Sequence, residues 1–263
     1  MTFDDQAITF ETRTGLSEST CQAIVRMALD LAEIKTNAQV VEVGAGTGQV
    51  GQWFAEKPVQ YLGFDLSEPM LEQFRKHLGS SRKNIKLLQG DANQHWPVIE
   101  DKANLIFSSR TLHLLNLEHV VHESLRIAHP EGAVVIMGSV QREQQGVKNQ
   151  MRKQMQTFLT EKTLRGRQKN KLMSQLIELF IQHDAQVIEP VEVSRWKVVN
   201  TPRQSLDSWR GKSNLAGIEL DDEIKQNILD CLQVWAEARF GDLDQLIESE
   251  ETYILQGVRL NQL

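Results

Sequence analysis

Two rhythms of apolar residues run along the chain. Short runs rich in Val, Ile, Leu and Phe at 40–43, 59–65, 85–89, 103–107 and 133–137 carry few polar interruptions, as strands buried on both faces do. Between them, segments 49–55, 68–78 and 117–128 read as helices, the last two set off by turn and cap residues. Ser67 caps the second of these, and Pro69 stands early in it, where a missing N–H costs nothing. The third ends at Pro130, and Gly132 precedes the fifth strand. Ahead of the first strand, Leu16, Ala23, Ile24, Met27, Ala28 and Leu31 mark a helix over 16–33, with Ser17 or Ser19 as cap. This alternation predicts an α/β fold, a doubly wound and mostly parallel sheet with right-handed crossovers and helices on both faces.

Beyond Ser139 the texture changes. Residues 141–171 are polar, basic and poor in strand signals, and read as a helical lid inserted after strand five. Residues 172–180 form an amphipathic helix, 185–199 are strand-like, 206–211 a short helix and 252–258 a last strand. A longer helix over 224–240 places Ile224, Ile228, Leu232 and Trp235 on one face. The expected organisation is therefore a core over 1–140 with its N-terminal helix, a lid over 141–171, and a segment over 172–263 that completes the core and covers substrate.

Composition narrows the function classes. A chain of 263 residues with 40% hydrophobic and 24% charged residues suits one α/β domain with an insertion, or two small domains. No apolar run nears the ~20 residues of a membrane span, and the first fifteen residues hold acids and no apolar signal core. Cys21 and Cys231 stand far apart in helical patterns and are expected as buried reduced thiols, which suits the cytoplasm. The Cys and His spacings fit no metal site. The net charge of −6 hides a segment of +7 at 142–171 and one of −9 at 219–252. That balance argues against nucleic acid as a partner and leaves only the basic segment to bind it.

The candidate chemistry begins where the first strand runs into Gly44-Ala45-Gly46-Thr47-Gly48 and a helix. A strand, a glycine turn and a helix N-terminus form the nucleotide-binding corner of a doubly wound sheet. Two frames fit it. Gly46-Thr47-Gly48-Gln49-Val50-Gly51 satisfies the GxGxxG dinucleotide pattern. Glu42-Val43-Gly44-Ala45-Gly46-Thr47-Gly48 reads acid-x-Gly-x-Gly-x-Gly. A pyrophosphate wants helix-terminal N–H groups and no nearby negative charge, whereas Glu42 suits a ligand with ammonium and sulfonium groups.

The second frame resembles the first motif of class I, Rossmann-like S-adenosylmethionine-dependent methyltransferases, and the strand ends that follow extend the resemblance over about 40–138. It implies seven strands, with 252–258 as the antiparallel C-terminal one. It implies that Gly44, Ala45, Gly46, Thr47 and Gly48 lie under the amino-acid part and sugar of the cofactor. Asp65, ending the second strand, would accept both ribose hydroxyls; Leu66 and Met70 would lie on the adenine, and Asp91 with the Ala92 N–H would read its amino group. Arg13, after Phe10, resembles an arginine placed near the cofactor carboxylate. Ser108 opens the segment after strand four, where the family builds one wall of the transfer site, and His113 in it is a candidate general base. Trp209 and Arg210 are similar to the substrate-covering region of the trans-aconitate methyltransferase group, so Arg210 is a candidate for holding a substrate carboxylate.

These readings predict a methyltransferase for a small-molecule acceptor, possibly one bearing a carboxylate. Phe107-Ser108-Ser109-Arg110 stands where an Asn-Pro-Pro-Tyr-type tetrapeptide would mark amino methylation of nucleobases or glutamine. Three alternatives stay open: an RNA methyltransferase using the basic segment, an NAD(P)-dependent oxidoreductase using GxGxxG, and a non-catalytic cofactor-binding module. Arg165, Arg167 and Lys169 are the cluster expected to steer an anionic acceptor.

Overall fold

The structure is a computed structural model that describes residues 16–78, 84–100, 102–164, 169–212 and 214–261. The chain divides into two compact units. One holds Thr2–Ser139, Asn170–Ser194 and Tyr253–Leu263; the other holds Val140–Lys169 and Arg195–Thr252.

The first unit opens with α1 (Glu18–Leu31), capped by Ser17 accepting from the Thr20 N–H, its buried stripe including Cys21, Ile24, Val25 and Ala28. Then come β1 (Gln39–Val43), α2 (Gly51–Phe54), β2 (Gln60–Asp65), α3 (Glu68–Leu78), β3 (Ile85–Gln89), β4 (Ala103–Ser109), α4 (Leu117–Ile127) and β5 (Ala133–Arg142). After α5 (Val147–Glu161) follow α6 (Lys169–Ile181), β6 (Gln186–Asn200), α7 (Pro202–Arg210), the short pair β7 (Asn214–Leu215) and β8 (Ile218–Glu219), α8 (Asp222–Phe240) and β9 (Ile247–Leu260). Seven strands form one mostly parallel sheet with an antiparallel strand, in the order β3-β2-β1-β4-β5-β9-β6. The β1–β2, β1–β4, β2–β3 and β4–β5 pairs are parallel, and chain order reverses at β1, with β2 on one side and β4 on the other. That is a topological switch point, where open α/β sheets place their ligand crevice.

The strands read from apolar runs are largely buried, except β3, whose edge position in the sheet leaves its residues half-buried or exposed. Val41, Val43, Leu62, Phe64, Ile106, Val135 and Met137 share one cluster with Trp96, Phe180 and Val258. Two glycines set how closely strands and side chains approach. A Cβ at Gly257 would collide with the Val135 carbonyl on β5, and one at Gly138 would collide with the Tyr253 ring.

The second unit has its own core. Met151, Met155 and Leu159 of α5 pack with Leu206 of α7 and Ile228, Leu229 and Leu232 of α8. The expectation of a polar lid over 141–171 therefore meets an amphipathic helix whose residues at 147, 151, 155 and 159 are buried. Their regular spacing was hidden in the sequence by the many polar residues between them. The basic and acidic stretches fold largely into this same unit, and Arg142 Nε bonds Glu251 Oε1 at 2.9 Å. Arg203 forks onto Asp244 with bonds of 2.6 and 2.9 Å. Arg165 and Arg167 lie outside the described residues, as does the side chain of Lys169. No helix among the described residues is long and apolar enough to cross a membrane. No disulfide joins Cys21 and Cys231; Cys21 is buried as expected, but Cys231 is exposed on α8.

Candidate active site

At the carboxyl ends of β1 to β4 lies a cavity of about 430 Å³. Its wall takes Glu42, Gly44, Ala45, Gly46 and Thr47 from β1 and the turn after it. Asp65, Leu66 and Met70 follow β2; Asp91 and Ala92 follow β3; Ser109, Arg110 and His113 follow β4.

The three glycines of the turn have left-handed φ of 72°, 54° and 81°, and they do different work. A Cβ on Gly44 would lie 2.6 Å from the Thr111 methyl, so this glycine lets the β4 loop close against the turn. A Cβ on Gly46 would meet nothing within 4 Å, which leaves its backbone open to a ligand. A Cβ on Gly48 would run into the Phe74 ring. Gly48 is thus a packing residue between turn and α3, and it is not among the residues that line the cavity.

Glu42 is buried at the end of β1 and accepts a 2.5 Å hydrogen bond from the Tyr61 hydroxyl. Burial lifts its pKa to about 8, against the pull of the Tyr61 bond; Asp65 raises it further, and the Arg110 charge opposes that. Gly51 makes room for the pair, since a Cβ there would collide with the Tyr61 oxygen and lie 2.7 Å from Glu42 Oε2. Even with the Arg110 charge nearby, then, Glu42 holds a proton at neutral pH.

Asp65 accepts from the Gly46 N–H through Oδ2 and the Ser67 N–H through Oδ1, both at 2.9 Å. These bonds lock the carboxylate between the glycine turn and the start of α3, so one residue both organises the turn and faces the cavity. Asp91 Oδ1 accepts from the Asn93 N–H at 2.8 Å, which folds the loop after β3 around it. That loop is tied below by Glu123, buried on α4, which accepts from the Trp96 N–H at 2.7 Å and from both ends of the Arg126 guanidinium at 2.6 and 2.9 Å. Burial alone would raise the Glu123 pKa, but those bonds bring it down to about 2.

Ser108 departs from expectation. Its hydroxyl turns into the sheet and donates to the Val43 carbonyl at 2.8 Å, away from the cavity wall. Alternation along β4 puts the next residue, Ser109, on the cavity instead. Leu66, Met70, Asp91, Ala92 and His113 all line the cavity. Arg13 lies outside the described residues. Trp209 packs on the core of the second unit, and Arg210 bonds Asp207 at 3.1 Å and Gln233 at 2.7 Å. The fork expected to hold a substrate carboxylate is thus engaged by its own helix and its neighbour. Sequence reading missed Gln49, Asn93 and Arg110 on the wall; the signal available was their place in the segments that follow the carboxyl ends of β1, β3 and β4.

These features fit an adenosyl cofactor: acids stand at two successive strand ends, an open backbone at Gly46, and a protonated carboxyl at Glu42 beside the turn. The sequence of residues 40–132 matches the family model described as a methyltransferase domain. The chain is thus similar to methyltransferases over that stretch. It is an enzyme, and its cofactor is S-adenosylmethionine. No curated protein matches its sequence. Among solved structures, a protein of Bacillus halodurans assigned as a methyltransferase is similar, with a TM-score of 0.58 at 17% identity over 90% of this chain and 98% of that one. An S-adenosylmethionine-dependent methyltransferase assignment from Methanococcus maripaludis aligns with a TM-score of 0.53 at 16% identity, over 72% of this chain and 89% of that one. Geranyl diphosphate C-methyltransferase from Streptomyces coelicolor, in complex with S-adenosyl-L-homocysteine, aligns with a TM-score of 0.50 at 8% identity over 90% and 75%. At these identities the likeness is one of fold.

Proposed function

We propose that this methyltransferase acts on a small molecule in the cytoplasm, with the cavity at the ends of β1 to β4 as its cofactor site. The observation that carries the reading is the order of groups along that edge: Asp91 after β3, Asp65 on β2, then the glycine turn and Glu42 on β1. Asp65 would hold the ribose hydroxyls, Asp91 and Ala92 the adenine edge, and Leu66 with Met70 its face. Glu42 and the Gly46 backbone would face the amino-acid end. The bound cofactor supplies an already activated methyl group. The protein's part is to align the acceptor with that methyl and exclude water. His113 is the wall residue able to take a proton from an acceptor as its new bond forms.

A small acceptor is supported by the fold shared with geranyl diphosphate C-methyltransferase, whose name gives geranyl diphosphate as what it methylates. It is supported also by the charge pattern. The basic stretch expected to serve RNA is folded largely into one unit with the acidic stretch, which weakens the case for a polyanion footprint. The test is a labelled-methyl transfer assay on fractionated metabolite extract, with total RNA as the parallel arm. Label in the small-molecule fraction, abolished by Asp65→Ala, supports the proposal. Label only in RNA replaces it with the RNA reading.

A further inference from the structure

A tyrosine from two strands away reaches the wall of the cavity. Ser109 is the last residue of β4 and lines that wall. Its Oγ lies 2.6 Å from the hydroxyl of Tyr253, which stands on β9. In the sheet β5 runs between β4 and β9, and the β5 residue in register with Ser109 is Gly138. A Cβ at Gly138 would collide with the Tyr253 oxygen, so the glycine opens the path by which the tyrosine crosses β5. Tyr253 is fully buried, whereas Ser109 is half-buried at the cavity.

The protons of the pair fix the direction of the bond. Each hydroxyl has one proton to give. Burial holds the Tyr253 phenol well above its usual range, against the pull of the Ser109 bond and the Arg110 charge, so it keeps its proton. Among the described residues, Ser109 Oγ is the hydrogen-bond partner of that hydroxyl. Were Ser109 the donor, the tyrosine proton would be buried without an acceptor, at the full penalty of an unmade bond. With Tyr253 as donor, the proton left over belongs to Ser109, which stands where a ligand can accept it. The second arrangement wins. Ser109 thus offers the cavity one oriented O–H at the end of β4. The sulfonium and ammonium of the cofactor accept no hydrogen bond, so an oxygen of the methyl acceptor competes for this donor only with the cofactor carboxylate.

We propose that Ser109, its proton turned to the cavity by Tyr253, donates a hydrogen bond to an oxygen of the acceptor, at or beside the atom to be methylated. Tyr253 is the positioning residue behind it. The acceptor's lone pair forms the new bond to the methyl, sulfur keeps the electron pair of the old one, and both hydroxyls keep their protons. The inference rests on the reading of a small-molecule methyltransferase with its cofactor in this cavity. The test measures labelled-methyl transfer to the accepting metabolite fraction, diluted in series to separate kcat from kcat/KM, beside calorimetry with S-adenosylhomocysteine. Ser109→Ala should lower kcat/KM by about 10-fold for a neutral oxygen and up to ~100-fold for an anionic one. Tyr253→Phe, which removes only the phenol oxygen, should lower it by at least ~3-fold. The double variant should be no worse than Ser109→Ala, because the tyrosine acts through the serine. Ser109→Thr keeps the hydroxyl and should restore most of the transfer. All of these variants should bind S-adenosylhomocysteine as wild type does. Tyr61 and Tyr253 are the two tyrosines of the chain, so an isotope label at the tyrosine Cζ reads the bond directly by NMR. The Tyr253 signal, identified by its loss in Tyr253→Phe, should shift in Ser109→Ala. A folded Tyr253→Phe with wild-type kcat/KM, an unmoved Tyr253 signal, or losses that add in the double variant would each overturn the inference. So would equal losses of transfer and of S-adenosylhomocysteine affinity, which would assign the donor to the cofactor. If Asp65→Ala leaves both binding and transfer intact, or label enters RNA alone, it is the underlying reading that fails.

Discussion

Cofactor binding should expel a proton from Glu42. The carboxyl is buried, hydrogen-bonded by Tyr61 and raised to about 8, so at pH 7 roughly nine molecules in ten carry the proton. An ammonium brought within ~4 Å of it would interact by about 4 kcal/mol at an effective dielectric of 20. At about 1.4 kcal/mol per unit, that returns the pKa to roughly 5 and ionises the group. Binding S-adenosylhomocysteine at pH 7 should then release about 0.9 proton, read as the slope of calorimetric enthalpy against buffer ionisation enthalpy. Because the bound form is the less protonated one, affinity should rise with pH, by about 8-fold from pH 6 to 7, where the ligand's α-ammonium stays charged. Glu42→Gln keeps an acceptor for Tyr61 and has nothing to titrate, so both effects should vanish in it. An identical enthalpy in every buffer, with a flat Kd over that range in wild type, would refute the reasoning. In the unliganded protein the sign is the reverse of the usual acid: Glu42 favours the folded state at low pH, and that contribution is lost as pH rises through about 8.

Two further measurements follow from the same residues. Gly46→Ala and Gly48→Ala should separate binding from stability, because the first Cβ points into open space and the second into the Phe74 ring. Gly46→Ala should fold with a loss of about 1–2 kcal/mol from its φ alone and bind S-adenosylhomocysteine at least ~10-fold more weakly. Gly48→Ala should lose more stability, its left-handed strain being joined by about 1–3 kcal/mol of overpacking, as thermal melts would register; equal behaviour of the two would contradict the assignment. Glu123, with its folded pKa depressed to about 2, contributes stability that is present above its unfolded pKa near 4.5 and lost as pH falls through the folded value. Glu123→Gln should therefore cost about 3 kcal/mol in urea titrations at pH 7 and progressively less as pH falls towards 2.

What the sequence determined by itself was local and periodic. Apolar runs with few polar interruptions marked the parallel strands, because a strand covered on both faces has little polar side to show, and only the sheet order left β3 half-exposed at an edge. The glycine turn between a strand and a helix fixed where a ligand meets backbone, and the acids after β2 and β3 marked its polar contacts. Sheet order decided which of those strand ends became neighbours, and packing decided which way each side chain faced. Gly44, Gly46 and Gly48 look alike in sequence and differ only in what a Cβ would meet: the β4 loop, open space or Phe74. Ser108 and Ser109 differ by one residue, and only the pleat of β4 sends one to the Val43 carbonyl and the other to the cavity. The shifted charges at Glu42 and Glu123 needed partners distant in the chain, 19 residues away for Tyr61 and 27 for the Trp96 N–H. Ser109 and Tyr253 depended most on tertiary structure, because residues 144 apart become partners only when β9 lies beside β5 and Gly138 leaves the way across it open.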